Sequence, residues 1–121
     1  MASMSFKDEN TFEKRKMLSD KILTTYSDRV PVIVERSTQA RSDIPEIDRK
    51  KFLTPSDITV AKFQSEIRKH ISIPPSTSIF LFVSGKNIMP QAAQTMDQLH
   101  SLYKDEDGFL YIEYSGHEIF G

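Results

Sequence analysis

The sequence predicts an α+β fold in which a helical extension precedes a mixed β-sheet. Three observations support this prediction: an amphipathic helical pattern near the N-terminus, four short segments rich in β-branched and aromatic residues, and helix-capping signals between those segments. With 121 residues, the chain has the size of one domain and can bury one hydrophobic core.

The first 28 residues are predicted to form the helical extension. Asn10 and Glu13 have the spacing of a capping box, so the helix is expected to begin there. Apolar residues at helical intervals then predict one face packed against the rest of the domain. That face consists of Met17, Leu18, Ile22, Leu23 and Tyr26.

Two strands are predicted next, over residues 30–36 and 50–54. The first is rich in β-branched residues, and a polar segment separates it from the second, which favours an antiparallel pair. Pro31 has no N–H group to donate, so it is expected near the start of its strand or on a free edge.

A helix, a strand, a second helix and a last strand follow. Thr59 is a good N-cap for an amphipathic helix, and Thr95 with Gln98 forms a capping box before a shorter one. Residues 79–83 are a continuous apolar run, which is typical of a central strand buried on both faces. Residues 109–114 are predicted to form the last strand.

The predicted order after the extension is β-β-α-β-helix-β, which is the order of a ubiquitin-like β-grasp. We therefore expect an N-terminal helical extension at 1–28, a β-grasp core at 29–114 and a tail at 115–121, together forming one compact domain.

The sequence lacks the residue patterns of catalytic and metal sites. It has no cysteine, and its three histidines, His70, His100 and His117, have no metal-binding spacing. Gly85-Lys86 lacks the preceding glycine of a phosphate loop, and residues 105–108 are predicted to be a hairpin turn. We therefore predict a protein that is not an enzyme and that has neither a metal nor a cofactor.

The charge distribution argues against nucleic acid. The net charge is −1, and no concentrated basic face is evident. Local basic clusters are interpreted as solvated surface, with a patch for acidic ligands as the alternative. That patch would consist of Lys14, Arg15, Lys16, Arg29, Arg49, Lys50 and Lys51.

Five segments of the chain carry a family resemblance. They are Thr11-Phe-Glu-Lys-Arg15, Tyr26-Ser-Asp-Arg-Val-Pro-Val-Ile-Val-Glu35, Lys50-Lys-Phe-Leu-Thr-Pro-Ser-Asp-Ile-Thr-Val60, Ile67-Arg-Lys69 and Leu110-Tyr-Ile-Glu-Tyr-Ser115. The chain resembles the autophagy ubiquitin-like modifiers of the GABARAP-like group from about Phe6 to Gly121. The runs that begin at Asp28 and Phe52 are the most specific.

The resemblance implies a modifier that is conjugated through Gly121 to phosphatidylethanolamine. Its partners would be the processing, activating and carrier enzymes of the conjugation pathway, and it would be cytoplasmic until lipidation places it on autophagosomal membranes. There it would recruit autophagy receptors that bear an aromatic-x-x-aliphatic peptide. The alternative is an unconjugated peptide-binding adaptor in vesicle trafficking.

The resemblance also implies two pockets beside the second strand. The aromatic side chain would enter a pocket of Ile22, Pro31, Ile33, Lys51, Leu53 and Phe109. The aliphatic side chain would enter a pocket of Phe52, Thr54, Pro55, Ile58, Phe63 and Glu66. Arg29 and Arg49 would form a charged rim, and Lys51 would join them in pairing with acidic residues of the peptide. For Ile33 and Phe63, a role as plain core residues is the alternative.

Two residues of the aliphatic pocket depart from the family pattern, Glu66 and Thr54, of which Thr54 is more polar than usual. Glu66 stands where the family usually has an apolar residue. A carboxylate there is expected to shrink the aliphatic pocket or to favour peptides with a nearby basic or polar group.

Overall fold

The structure is a computed structural model that describes residues 4–38 and 44–116. Its helices are α1 (Phe6–Glu9), α2 (Phe12–Thr25), α3 (Val60–Arg68) and α4 (Met96–Tyr103). Its strands are β1 (Arg29–Arg36), β2 (Lys51–Pro55), β3 (Phe80–Val83) and β4 (Leu110–Ser115). In chain order the elements run α1-α2-β1-β2-α3-β3-α4-β4.

The four strands form one mixed sheet in the order β2-β1-β4-β3. β1 pairs with β2 in antiparallel orientation and with β4 in parallel orientation, and β3 is antiparallel to β4. The parallel pair of β1 and β4 lies at the centre of the sheet. The chain between these two strands includes α3, so it is long enough for the crossover that a parallel pair needs. The predicted ubiquitin-like β-grasp with N-terminal helices is confirmed.

Each face of the sheet packs against a different set of helices. On one face, α3 and α4 cover the main core, which includes Val32, Phe63 and Leu99. On the other face, α1 and α2 cover a smaller group that we call the N-terminal cluster. It consists of Ile22, Ile33, Phe109 and Tyr111, with Phe6, Leu18 and Leu53 partly buried at its border.

The position predicted for β3 is wrong. β3 is an edge strand and not a central one, although Leu81, Phe82 and Val83 are all buried. An edge strand can be buried on both faces when side chains from other elements cover it. The apolar run therefore indicated burial correctly, but not the position of the strand in the sheet.

Pro31 lies on an inner strand and near its start. Its direct partner on β2 is Leu53, and the parallel pairing with β4 begins one residue later, at Val32. Pro31, which has no N–H group to donate, therefore lies just before the point where the ladder to β4 begins.

The predicted start and face of α2 need correction. The helix begins at Phe12, with Thr11 as N-cap accepting a hydrogen bond from the Lys14 N–H, and Asn10 ends α1 instead. Ile22 is buried as predicted, but Met17 is 61% exposed and Tyr26 48% exposed. The buried face of α2 is therefore narrower than the apolar pattern suggested.

The capping predictions for the two later helices are confirmed. The Thr59 side chain accepts a hydrogen bond from the Lys62 N–H at the start of α3. Both bonds of the capping box between Thr95 and Gln98 are present at the start of α4. None of the helices in the described part of the chain is long and apolar enough to cross a membrane.

Candidate functional site

The outer edge of β2 is the centre of the candidate site. The Val34 N–H donates to the Lys50 carbonyl oxygen at 2.8 Å, which fixes the hydrogen-bond phase of the ladder between β1 and β2. Because hydrogen-bonded and non-hydrogen-bonded pairs alternate in an antiparallel ladder, the backbone groups of Lys51 and Leu53 point away from β1. These groups form a strand edge to which an extended chain can add.

All six residues predicted for the aromatic pocket lie on one face of the sheet or on the helix covering it. Ile22, Ile33, Leu53 and Phe109 belong to the N-terminal cluster. The strand register places Pro31 opposite Leu53 and the exposed Lys51 opposite Ile33, so both share that face. Ile33 and Phe109 are fully buried, as expected of core residues, and Leu53 is only partly buried.

Two further aromatic side chains, which the sequence analysis did not assign to this site, complete the N-terminal cluster. The ring centroids of Phe6 and Phe109 lie 5.2 Å apart in an edge-to-face arrangement, and Tyr111 lies 6.5 Å from Phe6. Phe109 directly precedes β4 and Tyr111 follows it by two residues. Both belong to the predicted strand over 109–114, so the alternation of that strand was a signal for Tyr111. No sequence signal placed Phe6 beside residues of β4.

The residues predicted for the aliphatic pocket lie around the opposite face. Phe52 and Phe63 belong to the main core, with ring centroids 5.8 Å apart, and Ile58 packs against that core. Thr54 is buried on the same face of β2 as Phe52, and Pro55 is partly buried at the end of the strand. The edge of β2 therefore lies between two apolar groups on opposite faces of the sheet.

Glu66 is paired with two lysines on the surface of α3. Its carboxylate lies 3.3 Å from Lys69 Nζ and 3.7 Å from Lys62 Nζ. The hydrogen bond and charge of Lys69, with a smaller effect of Lys62, hold the pKa of Glu66 below its usual value. Glu66 is thus an ionised, half-exposed group on α3, the helix that also carries Phe63.

Two arginines of the predicted rim contact the edge itself. Arg49 Nε donates to the Lys51 carbonyl oxygen at 3.0 Å, and Arg29 Nη1 donates to the Leu53 carbonyl oxygen at 3.1 Å. The Arg49 guanidinium also lies over the Phe52 ring, 5.0 Å from its centroid. Both arginines are therefore part of the candidate site.

A buried polar network centred on Asp107 holds α2 against β4. The Asp107 carboxylate is fully buried and accepts hydrogen bonds from Arg15 Nη1 and Tyr111 Oη, each at 2.6 Å, and from the Phe109 N–H at 2.8 Å. Burial and the bond to Asp107 raise the pKa of Tyr111. The Ser19 hydroxyl of α2 donates to the Asp107 carbonyl oxygen. This network fixes Phe109 and the helix that carries Ile22.

Gly108 allows the close approach of α2 to this turn. Its φ of 95° is a conformation that favours glycine, and a Cβ atom there would collide with the Ser19 side chain. The sequence analysis predicted only a turn at residues 105–108, because Arg15 and Asp107 are far apart in sequence.

Gly121, the predicted conjugation residue, lies outside the described residues, which end at Gly116. The described residues contain no group of three His, Cys, Asp or Glu side chains that could hold a metal ion.

Comparison with known proteins identifies the family. The sequence model of the family described as "Autophagy protein Atg8 ubiquitin like" matches residues 14–121. The chain is 50% identical to Autophagy-related protein 8d of Arabidopsis thaliana, with 100% of this chain and 98% of that protein covered. It is 49% identical to Autophagy-related protein 8 of Dictyostelium discoideum, with 97% and 93% covered.

Solved structures agree with the sequence comparison. Trypanosoma brucei ATG8 superposes with a TM-score of 0.85 at 38% identity, covering 99% of this chain and 100% of that one. Plasmodium falciparum Atg8, solved in complex with a peptide of P. falciparum Atg3, gives a TM-score of 0.84 at 40% identity, covering 96% and 98%. The chain therefore belongs to the Atg8 family of ubiquitin-like autophagy proteins.

Proposed function

We propose that this protein binds aromatic-x-x-aliphatic peptides of autophagy receptors by adding them as a strand to β2. The observation that carries the proposal is the position of the β2 edge between the N-terminal cluster and the main core. Side chains of an extended chain alternate between faces, so residues three positions apart point to opposite faces. An aromatic and an aliphatic residue with that spacing therefore match the two faces of the sheet.

We further propose that the protein is conjugated through Gly121 to phosphatidylethanolamine and is not itself an enzyme. Membership of the Atg8 family supports this proposal, as does the relative from P. falciparum that was solved with an Atg3 peptide. β4 ends at Ser115, and the six residues beyond it span at most about 20 Å when extended, enough to present a glycine away from the sheet. Processing, activating and carrier enzymes would act on this tail, moving a cytoplasmic protein to autophagosomal membranes.

The groove is tested by replacing Lys51 and Leu53 with alanine together. We expect the double variant to bind an aromatic-x-x-aliphatic peptide more weakly by about 2 kcal/mol or more, because both residues border the site of the aromatic ring. Isothermal titration calorimetry on purified protein measures the change.

The matched control replaces Leu102 and Lys104 with alanine. They are an exposed pair of the same residue types near the end of α4. The control variant should bind the peptide like the wild type, and both variants should keep the wild-type circular dichroism spectrum. Wild-type affinity in a folded Lys51→Ala, Leu53→Ala variant would show that the peptide does not bind at β2.

Glu66→Leu is expected to strengthen binding of a peptide whose last motif residue is leucine or isoleucine. The substitution removes a charge whose desolvation opposes apolar contact and adds apolar surface, which is worth about 1 kcal/mol. Ser65→Leu, at an exposed neighbouring position of α3, is the control for added apolar surface outside the pocket. Unchanged or weaker binding by Glu66→Leu, measured by calorimetry, would place this residue outside the pocket.

A further inference from the structure

A cavity of about 410 Å³ lies at the end of β3, the edge strand opposite to β2. Three parts of the chain form its walls: α1, the turn that follows β3, and the turn between α4 and β4. A volume of this size is typical of a small-molecule site. None of its lining residues belongs to the two predicted peptide pockets or to their charged rim.

Three ammonium groups from separate parts of the chain line this cavity. Lys7 lies on α1, Lys86 in the turn after β3 and Lys104 directly after α4. Lys7 Nζ lies 2.8 Å from Asp105 Oδ1 and 4.6 Å from the centroid of the Tyr111 ring. Among the ion pairs of the described residues, none involves Lys86 or Lys104. Two of the three cations are therefore available to an anionic ligand.

Polar groups without a partner complete the lining. Within the described part of the chain, the side chains of Ser84 and Tyr103 make no hydrogen bond, and the Glu106 carboxylate makes neither a hydrogen bond nor an ion pair. Gly85 has a φ of 76° and open space where a Cβ atom would stand, so a ligand can approach the backbone of its turn closely. The cavity thus offers two cations, two hydroxyl groups and one carboxylate to a ligand.

We propose that this cavity binds a small phosphorylated polyol. A phosphate group supplies the negative charge that Lys86 and Lys104 lack, and lysine binds phosphate as a point charge. The hydroxyl groups of Ser84 and Tyr103 can donate to phosphate oxygens, whereas the Glu106 carboxylate can only accept. An anion without hydroxyl groups would leave that carboxylate facing a like charge. The hydroxyl groups of a polyol are the donors that it needs.

The cavity is separate from the peptide groove proposed above. β1 and β4 lie between β2 and β3, so the two edges of the sheet are about 14 Å apart at the usual spacing of strands. The variant Leu102→Ala, Lys104→Ala is therefore expected to bind the polyol phosphate more weakly while it keeps its affinity for the receptor peptide. The inference does not depend on peptide binding at β2.

The test is a nuclear magnetic resonance titration of the isotope-labelled protein with inositol 1,4-bisphosphate. We expect saturable shifts of the backbone amide signals of Ser84, Gly85 and Lys86, because these residues line the cavity. The signals of Lys51 and Leu53 on β2 should not move. Inositol without phosphate should give no saturable shift, because it lacks the charge that the lysines attract.

Variants of Lys86 test whether its charge holds the ligand. Lys86→Gln should weaken binding of inositol 1,4-bisphosphate by about fivefold or more, because it removes a charge-assisted contact with phosphate. Lys86→Arg keeps the charge and should bind within about twofold of the wild type. The matched control is Lys21→Gln, which replaces an exposed lysine of α2 outside the cavity and should bind like the wild type.

Vesicles distinguish a membrane source of the ligand from a soluble one. Phosphatidylcholine vesicles that contain phosphatidylinositol 4-phosphate present the same phosphorylated polyol as a lipid headgroup. Sedimentation of the protein with these vesicles, but not with phosphatidylcholine alone, would support a lipid headgroup as the ligand, and binding of the soluble probe alone would support a free polyol phosphate. If neither probe binds at millimolar concentration, if the shifts lie at β2, or if Lys86→Gln binds like the wild type, the proposal is wrong. Calorimetry with the receptor peptide tests the groove independently.

Discussion

Replacing Asp107 by alanine is expected to lower the free energy of unfolding by about 3 kcal/mol, because breaking a buried ion pair on one side leaves an uncompensated charge. The Arg15 side chain is only 12% exposed and would lose its carboxylate. The Tyr111 hydroxyl and the Phe109 N–H would lose their acceptor in a buried environment. Urea denaturation followed by circular dichroism measures the change.

Two further variants sharpen this test. Glu106→Ala removes an exposed carboxylate one residue away and should change the free energy of unfolding by less than about 0.5 kcal/mol. Asp107→Asn retains an acceptor for Tyr111 or Phe109 but removes the charge. Its decrease in the free energy of unfolding should therefore lie between the decreases caused by Asp107→Ala and Glu106→Ala. If Asp107→Ala is no more destabilising than Glu106→Ala, the network does not hold α2 to the sheet.

The order of the elements could be predicted because each one carries a local signal. Thr59 and Thr95 cap their helices as the sequence indicates, and the β-branched residues of β1 lie in a strand. Local signals of this kind depend on neighbours within about four residues, so a single sequence contains them. The β-grasp order follows from them.

Long-range packing could not be predicted in the same way. Ser19 is fully buried on α2, whereas Met17 is 61% exposed. At these two positions the polar side chain is buried and the apolar one is exposed, which is the opposite of what the sequence pattern predicts. The reason is that Ser19 faces the turn at Gly108, which approaches α2 closely, and its hydroxyl group donates to the Asp107 carbonyl oxygen there. The sequence shows neither the approach of that turn nor the partner of Arg15.

The candidate site, like the fold, could be predicted from the sequence only in part. Alternation along β2 places Lys51 and Leu53 towards one face of the sheet and Phe52 towards the other. This division between the two faces follows as soon as residues 50–54 are predicted to be a strand. The family resemblance was needed to assign these residues to peptide pockets. The contacts of Arg29 and Arg49 with the edge carbonyls were not predicted, because they require the phase of the hydrogen-bond ladder as well as the strand itself.

Substitution of Gly121 by alanine, or its deletion, is expected to abolish or greatly reduce lipid attachment. Conjugation needs an activated carboxyl group on a residue that the enzymes can thread into a narrow site and attack. Alanine adds a methyl group beside the reacting carbonyl and restricts the backbone there, whereas deletion removes the reacting residue altogether. The sheet ends at Ser115, so folding and peptide binding at β2 should not change.

The measurement is a reconstituted reaction with the activating and carrier enzymes, ATP and liposomes containing phosphatidylethanolamine, read by mass spectrometry. The variant Leu102→Ala, Lys104→Ala should be lipidated like the wild type, and the Gly121 variants should still bind the receptor peptide by calorimetry. If the protein without Gly121 forms the lipid adduct at the normal rate, conjugation through this residue is wrong. If the wild type forms no adduct while it binds the peptide, the unconjugated adaptor becomes the better interpretation, because the groove would then act without attachment to a membrane lipid.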